Sequence, residues 1–145
     1  MWKSVLAVCG LVLAALPPSL AFAHGSAEDL AARCVARIEE VVTRAERAAA
    51  DETQECVRTI NALQEAGRDE AAAQVADECI RAATRRAREA AQLVTRLSSV
   101  CVKQLVALGE LELARRVHSA GEDAITDLRE LLQREKRAID AALDD

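Results

Sequence analysis

The chain has 145 residues, 51% of them hydrophobic and 30% charged, with a net charge of −5. That is the size of one domain, and an acidic balance of interspersed charges excludes nucleic acid or an anionic membrane as the main partner, since those need a clustered basic face. The only aromatic residues are Trp2 and Phe22 and the only prolines Pro17 and Pro18, so beyond residue 23 the chain lacks the side chains that usually line small-ligand pockets.

Residues 1–23 read as a signal peptide. Lys3 supplies the positive start, Val5 to Leu16 an apolar run, Pro17-Pro18 a break, and Ala21-Phe22-Ala23 a small-x-small cleavage site. The mature chain is expected to begin at His24. Cys9 does not suit lipidation, because it precedes most of the apolar run and follows Val8 where a small residue is wanted. No later stretch approaches the roughly 20 apolar residues of a membrane span. The expectation is therefore an exported protein, periplasmic or extracellular, with residues 24–145 forming a single helical domain. That part contains 26 alanines and a net charge of −6, from 18 Lys/Arg and 24 Asp/Glu. Alanine buries far less area than leucine, so the core is thin at about 25 cal/mol per Å².

From Ala27 to Ala66 there is no Gly or Pro, and Leu30, Cys34, Val35, Ile38, Val41, Val42, Ala45, Ala49, Cys56, Ile60 and Leu63 recur at helical spacing. One long helix is predicted, with Ser26 as N-cap and Glu28 and Asp29 in its first turn. Its weak point is Ala50 to Gln54, where Asp51 could cap a new helix. Gly67 sits where a C′ glycine would end the helix. Beyond it Ala76, Ile80, Ala83, Ala87, Ala90, Val94, Leu97 and Cys101 alternate steps of 4 and 3, the heptad of a helix packed along one seam. Gly109 ends this second helix. The remainder, with Leu111, Ala114, Val117, Ala124, Ile125, Leu128, Leu131, Leu132, Ile139 and Leu143, is a third amphipathic segment carrying the bulkiest apolar side chains. Ser119 to Glu122 resembles a capping box, so this segment is one helix or two.

The four cysteines of the mature chain are the strongest constraint. Cys34 and Cys101 sum to 135, as do Cys56 and Cys79, and the mirror point falls between Gly67 and Arg68. Residues facing one another in an antiparallel helical hairpin have a constant sum, which predicts the disulfides Cys34–Cys101 and Cys56–Cys79. The cysteines on each helix are 22 residues apart, about 33 Å of rise, too far for a bridge within one straight helix. Neither zinc-ligand nor Cys-x-x-Cys spacing is present. The layout resembles the twin-cysteine hairpins of coiled-coil-helix proteins, but the spacing is far longer and no flanking motif matches, so nothing is carried over. The fold class expected is all-α: a long antiparallel hairpin stapled by two disulfides, with a third helical segment alongside, a bundle of three helices or of four if the last one breaks.

Candidate sites are few. His118 is the only internal histidine, and Ser98, Ser99 and Ser119 are the only serines it could activate; a lone His near a helix end reads as a dipole-favoured cation. His24 could chelate a metal weakly through its new amino terminus. Glu39-Glu40 and Asp144-Asp145 lack a positioned partner. Arg81, Arg85, Arg86 and Arg88 read as a solvated face, and Glu40/Arg44, Asp77/Arg81, Glu112/Arg116 and Glu130/Arg134 as ordinary i,i+4 helix pairs. No catalytic, cofactor-binding or metal residues are assigned. The expected function is that of a non-enzymatic structural or protein-interaction module, with a protein as partner; the alternatives are a metal-binding periplasmic protein using His24, His118 and surface carboxylates, and a holdase-like chaperone with an exposed apolar stripe.

Overall fold

A computed structural model describes residues 25–144, so residues 1–23, read above as a signal peptide, with Cys9 among them, and His24 and Asp145 lie outside the described residues. Three helices run up, down and up: α1 (Ala27–Glu65), α2 (Asp69–Ala107) and α3 (Leu111–Asp144). All three pairs pack against one another as a bundle. At 1.5 Å per residue the two 39-residue helices are about 58 Å long.

Local chemistry accounts for the ends. Ser26 caps α1 in a reciprocal capping box: its hydroxyl accepts from the Asp29 amide at 3.2 Å, and the Asp29 carboxylate accepts from the Ser26 amide at 2.8 Å. Gly67 (φ +67°) and Gly109 (φ +80°) end α1 and α2 in the left-handed conformation. After each, the next amide reaches back to an orphan carbonyl, Arg68 N to Leu63 O and Glu110 N to Leu105 O, both at 2.9 Å. The expected mirror follows from the first turn. Cys34 is bonded to Cys101 and Cys56 to Cys79, with Cα separations of 6.2 and 6.3 Å.

Neither doubtful break occurs. Residues 50–54 continue α1 without interruption, since Asp and Thr cost only tenths of a kcal/mol in a helix interior while Ala49 and Ile60 hold the seam on either side. Ser119 does not cap a fourth helix either: α3 runs straight through Gly121. A Cβ built on Gly121 would lie 2.7 Å from Ser98 Oγ and 2.9 Å from Ser98 Cβ. The glycine is thus a close approach between α2 and α3, which outweighs the roughly 1 kcal/mol it costs a helix relative to alanine.

The bulky residues of α3 are docked. Leu128 and Ile139 are fully buried, and Ile125, Leu131 and Leu143 pack against the core. That core has two parts. One surrounds Cys34–Cys101, with Ile38, Val94, Leu105, Leu113, Val117 and Leu128. The other lies toward Gly67, with Ile60, Ala72, Ala76, Ile139 and Ala142 beside Cys56 and Cys79.

Candidate functional site

Between the two apolar cores lies a polar cluster built from all three helices. Glu135 of α3 is only 5% exposed, and Arg86 of α2, its side chain 16% exposed, donates to its carboxylate. The same guanidinium donates to the half-exposed Glu52 of α1. Thr53 Oγ1 adds a hydrogen bond to Glu135 Oε1 at 3.3 Å. Two carboxylates and one guanidinium leave the cluster with one net negative charge, on the edge of a shallow cleft shared with Cys56, Cys79 and Ile139.

This arrangement corrects the solvated-face reading of the arginine cluster in part. Arg81, Arg85 and Arg88 are exposed, whereas Arg86 turns inward. Of this cluster only Glu135 was detectable in the sequence, through its spacing. Leu128, Glu135, Ile139 and Ala142 step by 7, 4 and 3, which places an acid on the buried seam of α3. Ser98 shows the same signature, stepping 4 from Val94 and 3 to Cys101, and it too is buried.

His118, Ser98 and Ser99 come together in a cleft of about 330 Å³ between α2 and α3, which Thr95, Lys103 and Glu122 also line. Ser119 is exposed on α3 and does not line that cleft. The backbone amides of α2 and α3 here are interior to helices and already bonded within them, so they offer no pair of donors to a developing oxyanion. Glu39 lies on a different cleft, of about 450 Å³, between α1 and α3, with Thr43, Asp123 and Asp127. Among the described residues no three His, Cys, Asp or Glu side chains gather as a metal would require. Glu40 pairs with Arg44 as expected, but Glu112 pairs with Arg115, and Arg116 reaches across to Glu28 of α1 at 3.2 Å.

The exposed large apolar side chains form the remaining candidate. Among the described residues they are Leu93, Val100, Val106, Leu108 and Leu111, all within the last part of α2 and the turn into α3. No helix among the described residues is long and apolar enough to cross a membrane. No family model, curated protein or solved structure matches this chain.

Proposed function

We propose that the protein is an exported, non-enzymatic module that binds another protein, its long bundle serving as a rigid support for one contact region. The observation that carries this reading is the distribution of apolar surface. Beyond its first residue, Leu111, α3 leaves no large apolar side chain exposed, and both halves of the hairpin are covalently closed, yet large apolar side chains remain exposed within residues 93–111 and nowhere else among the described residues. Contiguous apolar surface marks a contact site where singly scattered residues do not, and Leu93 and Val100, seven residues apart on α2, lie on one face of that helix. The two disulfides fit an oxidising compartment outside the cytosol, in keeping with the leader at residues 1–23.

The test is affinity isolation of the oxidised mature protein from the exported fraction of its host, with element analysis of the same eluate. A stoichiometric protein partner is expected. Stoichiometric bound metal with no protein would favour the metal-binding alternative and overturn this one.

A further inference from the structure

We infer that the outer shoulder of α2 around Leu93, Leu97 and Val100 receives an amphipathic helix of a partner protein, one with carboxylates beside its apolar stripe; this deepens, and rests on, the interaction-module reading.

A heptad row and an α-helix differ in period. Positions 72, 79, 86, 93 and 100 of α2 form one heptad row. A straight helix of 3.6 residues per turn rotates such a row by about 20° every heptad. Burial follows that rotation. Ala72 is fully buried, Cys79 and Arg86 are partly buried, Leu93 is 46% exposed and Val100 56% exposed. The row therefore leaves the bundle while it is still apolar. Half-buried Leu97 lies between its last two members, completing the i, i+4, i+7 spacing of a surface that takes a second helix.

Charge selects the partner. Residues 90–109 contain no Asp or Glu, on a chain whose net charge is −5. Arg96 and Lys103, both exposed, follow Leu93 and Val100 by three residues each and so set two cations beside the stripe, on a row that the exposed Glu89 and Glu110 close at either end. A helix seated there places its flank against those cations, where carboxylates are complementary and lysines repelled. A second copy of this chain meets the charge requirement at its Gly67 end, where residues 51–82 carry eight acids against three bases. That end, however, has no exposed large apolar side chain to fill the groove. An anionic bilayer would meet Glu110 and Glu112 beside Leu108 and Leu111.

The experiment places a benzophenone amino acid at Val100, and separately at Asp123 on the α1/α3 face, in the full chain expressed in its native host. Irradiation is followed by mass spectrometry of the cross-linked peptides. The expected result is a protein adduct at Val100 whose cross-linked segment is amphipathic and acidic on its flank. Its yield should fall about tenfold in the variant R96E/K103E, with unfolding temperature and helical content unchanged because both residues are exposed. An adduct at Val100 to lipid, to a second copy or to a segment without carboxylates overturns the proposal, as does a yield indifferent to the charge reversal. Adducts at Asp123 alone overturn this surface but leave the module reading standing. Adducts at neither position overturn both.

Discussion

The Arg86–Glu135 pair should be worth far more to the bundle when broken than when replaced. In the variant Arg86→Met, Glu135 keeps its 5% exposure but retains only the Thr53 hydroxyl at 3.3 Å as a side-chain partner. Removing one member of a buried pair costs about 3 to 5 kcal/mol, because a buried charge is left uncompensated. For some 120 ordered residues that is a fall in melting temperature of roughly 12 to 20 °C, at about 4 °C per kcal/mol. Glu135→Leu should cost less, about 1 to 3 kcal/mol, because Arg86 keeps Glu52 and part of its side chain reaches solvent. The double variant R86M/E135L joins the two apolar cores and should return stability to within about 1 kcal/mol of the parent or above it. Urea denaturation of the four oxidised proteins, analysed as a double-mutant cycle, reads the coupling directly. Equal single costs that simply add in the double variant would refute the reasoning, since they would mean the two charges do not depend on each other.

Reduction should remove about 7 kcal/mol, counting about 3 for the 23-residue separation of Cys56 and Cys79 and about 4 for closing the remaining arms at Cys34–Cys101; melting with and without reductant checks it, and an unchanged transition would show that the bridges do not constrain the unfolded chain. Gly121→Ala should lower stability by about 1 to 2 kcal/mol although alanine is the better helix former, because its Cβ has no room beside Ser98; a gain of about 1 kcal/mol in chemical denaturation would contradict the close approach. Ser26→Ala should cost about 1 kcal/mol through loss of the capping box, with faster amide exchange confined to the first turn of α1. Sequencing the amino terminus of the exported protein should read His24-Gly25-Ser26, and a retained leader would contradict the export reading.

The sequence by itself determined the helices, the turns and the pairing of the cysteines. These depend on local or linear information: glycines where the backbone must turn left, apolar residues at steps of 3 and 4, and a mirror sum that only an antiparallel hairpin satisfies. Doubt arose where a local signal and a distant contact compete. Asp51 looks like a cap and Gly121 like part of one when only their neighbours are considered, but α1 continues through the first to keep its seam. The second is a glycine because Ser98, 23 residues away in sequence, occupies the space a side chain would need. Tertiary structure alone decided which arginine of the cluster turns inward, because Arg86 and Glu135 are 49 residues apart and meet only once three helices are in register. It also decided which apolar residues stay outside. The heptad row that begins buried at Ala72 ends exposed at Val100, because a straight helix drifts out of step with a seven-residue repeat, and where the other two helices lie decides which members of the row that drift carries out of the seam.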